Sequence, residues 1–294
     1  MNTVYLNGEF IPQNKALISV MDRGFLFGDG VYEVIPIYGG RLFRLSQHLQ
    51  RLQNSLDGIL LDNPHSNTQW ETLLNQLLQA NISDDLSQDY SIYLQITRGA
   101  IEKRDYRIPD TIKPTVFANC RKIPMPDKTV ASHGISAITV EDIRWLRCDI
   151  KAITLLPNIL LKQAAANAGA DEAILIRDGY ALEGSASNLF IISNGVIKTH
   201  PTGPLLLPGI TRDLILELAE KQNIAHEETS ITEKQLCLAD EVWLTSSTRE
   251  ILAVTKINKT TIGNGKPGTM WKTMTGLYRE YKETLRSVNP GIEQ

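Results

Sequence analysis

The chain has 294 residues, 42% hydrophobic and 21% charged, with a formal net charge of -3. That length suits two domains, each able to bury a core, and the composition is ordinary for a soluble globular protein. The slightly acidic balance argues against nucleic acid or an anionic membrane as partner, and no apolar run is long enough to cross a membrane as a helix.

The N-terminus lacks a basic stretch followed by an apolar one and is expected to be mature protein, not a signal peptide. Val4 to Pro12 predicts a hairpin turning at Asn7-Gly8, residues that tolerate positive φ. Val31 to Tyr38 is a β-rich run that Gly39-Gly40 turns back toward Arg41-Leu42-Phe43. Leu45, Leu49, Leu52 and Leu56 make one helical face. Thr68-Gln69-Trp70-Glu71 matches a capping box ahead of a helix carrying Leu74, Leu77 and Leu78. Ser91 to Thr97 and Thr115 to Asn119 are predicted strands. The polar, proline-containing stretch Arg121 to Lys128 is the predicted linker. It divides an N-terminal domain (1–120) from a C-terminal one (130–294), with 121–129 between.

The second half opens with a strand near Ile135 to Val140 and a helix from Pro157 to Ala168, stopped by Gly169. Glu172 to Arg177 is a strand, and Leu189 to Ser193 with Val196 to Thr199 is a hairpin around Asn194-Gly195. Ile210 to Gln222 is an amphipathic helix, Glu241 to Thr245 a strand, and Thr269 to Leu285 a last helix. Strands and helices mix without regular βαβ alternation, so the predicted class is α+β. Cys120, Cys148 and Cys237 are widely spaced with no CxxC, which predicts neither a disulfide framework nor a zinc site and fits a reducing cytoplasm.

Several residues can carry chemistry, each with a plainer alternative. Lys151 lies in an apolar run; burial would lower its pKa and free its amine for imine formation, whereas a lysine at a strand edge simply snorkels. Glu183, in Glu183-Gly184-Ser185-Ala186-Ser187-Asn188, can serve a protonated ring nitrogen or belong to an ordinary strand connection. Leu207 to Asp213 opens a helix whose N-terminus is an anion site, or Thr211 merely caps it. Thr245-Ser246-Ser247-Thr248 offers hydroxyl donors or only a turn. Arg51 can clamp a phosphate or lie in solvent.

Together these pieces acquire a context. Asp22-Arg23-Gly24-Phe25-Leu26-Phe27-Gly28-Asp29-Gly30-Val31-Tyr32-Glu33 resembles the N-terminal signature of class IV aminotransferases. Glu141 through Lys151 closely resembles the cofactor-lysine segment of bacterial D-amino acid aminotransferases, and Glu183 through Phe190 and Gly209 through Asp213 match in the same order. The resemblance covers nearly the whole chain and is far more specific than a short motif. It implies a two-domain class IV fold (fold type IV) with pyridoxal 5'-phosphate between the domains, and a homodimer in which an arginine comes from the neighbouring subunit. It implies Lys151 as the covalent cofactor lysine and proton shuttle, and Glu183 as partner of the pyridine nitrogen. Arg51, Ile210 through its backbone N–H, Thr211, Ser246 and Ser247 would form the phosphate cup. Leu207 would pack behind the ring, with Ser187 also against the cofactor, and Tyr32, Arg104 and Tyr106 would take the substrate carboxylate.

One departure stands out. The family's Arg-x-His pair reads Arg104-Asp105-Tyr106 here, so a hydroxyl replaces an imidazole, and the loop Gly99 to Pro109 is one residue longer. The implied reaction is D-alanine plus 2-oxoglutarate giving pyruvate and D-glutamate, small-molecule amino and 2-oxo acids being the partners. The alternatives are a branched-chain L-aminotransferase, another class IV transaminase of relaxed specificity, an aminodeoxychorismate-type lyase on the same fold, and a non-catalytic binding protein.

Overall fold

The structure is a computed structural model in which residues 2–82, 88–125 and 127–287 are described; counts below refer to them. Pro126 of the expected linker lies outside the described residues. Contacts divide the chain into two units. One holds the chain up to Pro124, the segment Ile150–Thr154 and the described end from Leu285; the other holds Met125–Asp149 and Leu155–Thr284.

In the first unit, β1 (Thr3–Leu6) and β2 (Glu9–Pro12) form the expected hairpin, with Asn7 and Gly8 at φ of 50° and 107°. α1 (Arg23–Phe27) follows, capped by Asp22, whose carboxylate accepts from the Gly24 N–H. Then come β3 (Gly30–Tyr38), β4 (Arg41–Leu42), α2 (Leu45–Gly58), α3 (Asn67–Gln79), β5 (Tyr90–Thr97) and β6 (Thr115–Lys122). The six described strands form an antiparallel sheet in the order β2-β1-β6-β5-β3-β4. Leu49, Leu52 and Leu56 of α2 and Trp70, Leu74, Leu77 and Leu78 of α3 bury against Val31, Ile35, Ile37, Ile92 and Leu94 of that sheet. Each such side chain contributes about 1.5–3 kcal/mol of burial. Strand alternation puts Glu33 in the same row as Val31, Ile35 and Ile37, on the core side.

The capping box of α3 is not the one expected. Ser66 accepts from the Gln69 N–H and the Gln69 side chain accepts from Ser66 N–H, so the helix begins at Asn67, and Thr68 already lies inside it. Both Ser66 and Thr68 precede apolar periodicity, and only Ser66 has a capping partner three residues on that closes the box.

The second unit contains α4 (Lys128–His133), β7 (Ile135–Glu141), α5 (Leu156–Asn167), β8 (Glu172–Arg177), β9 (Tyr180–Gly184), β10 (Ser187–Ser193) and β11 (Val196–Thr199). It continues with α6 (Ile210–Lys221), β12 (His226–Glu228), β13 (Ile231–Thr232), α7 (Glu233–Cys237), β14 (Glu241–Ser246), β15 (Glu250–Ile257), β16 (Thr260–Thr261) and α8 (Thr269–Ser287) as far as Thr284. Its strands run in the order β12-β11-β10-β14-β15-β7-β8-β9-β13, with β16 on β15 and a further pairing of β9 with β10. The core is built from Ile135, Ile174, Leu189, Ile191, Val242, Leu244 and Val254. On the other face of β10 and β14, Phe190 and Trp243 are fully buried.

Four expectations change. The stretch Glu183–Asn188 is no loose connection: Glu183 and Gly184 end β9, Ser187 and Asn188 begin β10, and Glu183 pairs with Asn188 across the turn. The strand β15 was not expected, and it is central, pairing with both β14 and β7. The linker is shorter than 121–129, because Arg121 and Lys122 finish β6 and Lys128 starts α4. The short segment carrying Lys151 also groups with the first unit, although it lies in sequence within the range expected for the C-terminal domain.

Candidate active site

In the first unit, residues 150–154 run beside β3. Tyr32 N–H donates to the Lys151 carbonyl at 3.0 Å, Ile153 N–H donates to the Gly30 carbonyl at 3.0 Å, and Ala152 bridges to Val31. Lys151 N–H donates to Ser55 Oγ of α2 at 3.1 Å, and Ile150 is buried in the core. The backbone of Lys151 is therefore held on two elements while its side chain is only half-buried. Its Nζ lies 4.1 Å from the centre of the Tyr32 ring, a cation–π contact. Tyr32 itself stacks on Tyr93 with ring centres 5.6 Å apart.

Arg51 is buried, not solvated. Its Nε and Nη2 donate to the two oxygens of Glu33, both at 2.8 Å, in a bidentate pair. His48, one helical turn before Arg51, meets Glu33 Oε2 through Nδ1 at 2.7 Å. Burial alone would raise the Glu33 carboxyl, but the Arg51 charge and hydrogen bonds, with His48, outweigh it and hold it far below the usual carboxylate range. Burial pushes His48 down, toward the neutral ring. With Nδ1–H given to Glu33, Nε2 is an acceptor, buried and without a hydrogen-bond partner.

Sequence reasoning missed Glu33 and His48 as site residues. The available signal was a charged residue at a core-row position of β3 and a histidine three residues ahead of the arginine on a helix.

Arg104 and Tyr106 are brought together, Arg104 Nη2 donating to the Tyr106 hydroxyl at 2.9 Å. Arg104 also lies 5.0 Å over Phe27. Both Arg104 and Tyr106 are exposed.

In the second unit, Glu183 is buried at the β9–β10 turn. Its Oε1 accepts from Arg144 Nη1; its Oε2 accepts from Asn188 Nδ2 at 3.2 Å and from the Leu207 N–H at 3.3 Å. Arg144 also donates through Nε and Nη2 to Asp142, at 2.8 and 3.0 Å, and Arg177 meets Asp142 as well. Burial pushes the Glu183 carboxyl up, and the shared Arg144 opposes this without fully offsetting it. Sequence reasoning missed Arg144 too, although it lies in the Glu141–Lys151 segment that carries the resemblance.

Asn188 also donates to the Leu207 carbonyl at 2.8 Å. A Cβ at Gly209 would fall 1.9 Å from Asn188 Oδ1, so only glycine lets the start of α6 approach this closely. Gly209 supplies no capping side chain, and Thr211 is buried inside the first turn instead of at the cap. The first N–H groups of α6, Ile210's among them, are thus not taken by a capping side chain. Ser246 ends β14 and Ser247 lies in the turn to β15, both half-buried. Thr245 Oγ1, across from Asn188 in the sheet, and Ser187 Oγ are buried without hydrogen-bond partners.

A phosphorylated, protonated heteroaromatic fits this donor set. A carboxylate has about four acceptor sites, and Glu183 uses three of them on protein donors. That leaves room for one ring N–H. The uncapped start of α6 and the neighbouring hydroxyls suit a phosphate.

A family model described as amino-transferase class IV matches residues 30–257. The chain is 42% identical to a D-alanine aminotransferase of Bacillus licheniformis over 97% of this chain and 99% of that one. It is 38% identical to a D-alanine aminotransferase of Staphylococcus haemolyticus over 98% and 100%. Among solved structures, the Escherichia coli branched-chain amino acid aminotransferase superposes with a TM-score of 0.90 at 25% identity, covering 99% of this chain and 97% of that one. The expected α+β class IV aminotransferase fold is borne out. The chain belongs to the amino-transferase class IV family.

Proposed function

We propose that the protein is a D-amino acid aminotransferase that uses pyridoxal 5'-phosphate, moving the amino group of D-alanine to 2-oxoglutarate. The observation that carries this reading is Lys151: its backbone is fastened to β3 and α2, and its amine rests on the Tyr32 ring. Relatives at 37–42% identity over nearly the full chain carry the name D-alanine aminotransferase, which favours the D-series.

When bound, pyridoxal phosphate supplies an aldehyde carbon and a ring that accepts electrons from the substrate α-carbon. Lys151 would hold that group through Nζ, and its free amine would take the proton from the substrate α-carbon as base and deliver it to the cofactor's aldehyde-derived carbon as acid. Glu183 would accept the proton-bearing ring nitrogen at its remaining acceptor site. Arg51, oriented by Glu33 and His48, would hold the phosphate, as would the Ile210 N–H, Thr211, Ser246 and Ser247. Leu207 and Ser187 would bear on the ring, and Tyr32, Arg104 and Tyr106 would hold the substrate carboxylate.

A homodimer is part of the proposal. Leu156, Ile159 and Leu160 on α5 and Ile143, Trp145 and Leu146 ahead of it are exposed, an apolar set that a second copy can cover. Three free thiols fit a cytoplasmic setting, and no described helix is long and apolar enough to cross a membrane.

The fold likeness to branched-chain enzymes supports a second reading, an L-branched-chain aminotransferase. Rates on D-alanine and L-leucine, each with 2-oxoglutarate, separate the two. Faster turnover of D-alanine supports the first; an enzyme idle on D-alanine and fast on L-leucine overturns it and leaves the cofactor chemistry standing.

A further inference from the structure

We infer that Arg23 is a positioning residue for substrate recognition, because its buried guanidinium fixes the backbone of the loop that presents Arg104 and Tyr106. The inference rests on the proposal that this loop binds the substrate carboxylate, and it adds what holds the loop in shape.

The loop has little of its own to hold it. Arg104, Tyr106 and Arg107 are exposed, and Asp105 pairs with Arg107 at the surface. Beneath it, Arg23 is 4% exposed. Its Nη1 donates to the carbonyls of Asp105 at 2.6 Å and Arg107 at 3.3 Å, and its Nη2 donates to the carbonyl of Tyr106 at 3.3 Å. One planar fork thus takes three consecutive carbonyls, a geometry that the single ammonium of lysine cannot span. The Arg23 backbone N–H also donates to the Gly99 carbonyl, where the loop begins.

The fork is itself held from behind. Arg23 Nε donates to Asp29 Oδ2 at 2.7 Å. Arg98 grips the same carboxylate through Nε and Nη2 at 2.8 and 3.0 Å. Phe27, four residues along α1, ties both layers together: Arg23 and Arg104 each lie 5.0 Å from its ring centre, and the Tyr106 ring is 5.2 Å away. The chain from Asp29 through Arg23 to the loop carbonyls sets where the Arg104 and Tyr106 side chains leave the backbone. A carboxylate grip displaced by about 1 Å weakens binding of every carboxylate ligand, substrate and inhibitor alike.

Arg23→Met tests this in the holoenzyme. Asp29 keeps both bonds from Arg98, and the loop's Arg104, Tyr106 and Arg107 are exposed, so the variant is expected to fold. The KM for D-alanine rises about tenfold or more, kcat stays within about threefold, and inhibition by propionate, a carboxylate without an amine, weakens in step. Cofactor absorbance and affinity are unchanged. Arg23→Lys falls between wild type and Arg23→Met and serves as the readout if the methionine variant does not fold.

Unchanged KM and propionate inhibition in the folded variant overturn the inference, as does a fall in kcat accompanied by loss of cofactor. Arg104→Met, measured alongside, separates the two levels. If it raises both constants while Arg23→Met does not, the anchoring role alone fails. If it moves neither, the carboxylate reading of the loop fails and the anchor's purpose fails with it.

Discussion

Glu33 and Glu183 are the same side chain, both buried, and their carboxyls are driven in opposite directions. The difference lies in how each cation is shared. Arg51 gives Glu33 two parallel N–H bonds, and His48 adds a third. Arg144 spends Nε and Nη2 on Asp142 and reaches Glu183 through Nη1. A carboxylate that takes two parallel bonds from one guanidinium is locked as an anion and suits fixing another residue. One that shares its cation, and has an acceptor site left over, suits a ligand that brings its own proton.

The sharpest break in that comparison is Glu33→Gln. It leaves Arg51 buried beside a neutral amide and is expected to cost about 3–5 kcal/mol of stability, the scale for removing one partner of a buried pair. Denaturant unfolding of the cofactor-free protein reads it. The matching change, Glu183→Gln, is expected to leave that stability within about 1 kcal/mol, because Arg144 retains Asp142. Its turnover instead falls by about 100-fold, the scale of losing one preorganised electrostatic partner. Equal destabilisation by the two would erase the distinction.

The pH dependence sharpens it next. Glu33 has a lowered folded pKa, so its contribution is present above the unfolded value of about 4.3 and is lost as pH falls through the folded value. Glu183 has a raised one, so its contribution is full below about 4.3 and is lost as pH rises through the folded value. The stability difference between wild type and Glu33→Gln therefore shrinks toward acid. The corresponding difference for Glu183→Gln moves the other way, falling as pH rises through the raised folded value. Parallel curves would contradict the assignment. The smallest effect concerns local structure in the first unit: Ser66→Ala should cost about 1 kcal/mol and Thr68→Ala under about 0.5 kcal/mol, measured the same way.

Much of the fold was legible where local chemistry has one solution. The hairpins turn at Asn7-Gly8 and Asn194-Gly195, whose φ values are all positive, and the leucine spacing of α2 points where it should. What escaped notice has a common cause. β9 is buried at every residue after Tyr180, so it shows no alternation, and it contains the charged Glu183. β15 follows β14 through a turn with no glycine or proline, Glu250 supplying the positive φ of 55° instead. The candidate site residues were named through resemblance, which did not reach Glu33 and His48, because the contact that joins β3 to α2 is tertiary and a strand position and a helix position share no common spacing. The return of residues 150–154 to the first unit is likewise tertiary information.

The central claim is that the amine of Lys151 bonds to the cofactor. Borohydride reduction of the yellow holoenzyme, followed by proteolysis and mass mapping of the fixed phosphopyridoxyl group, tests it directly. The account predicts the group on the peptide containing Lys151 and on no other lysine. A group fixed elsewhere, or none fixed while transamination proceeds, would contradict it.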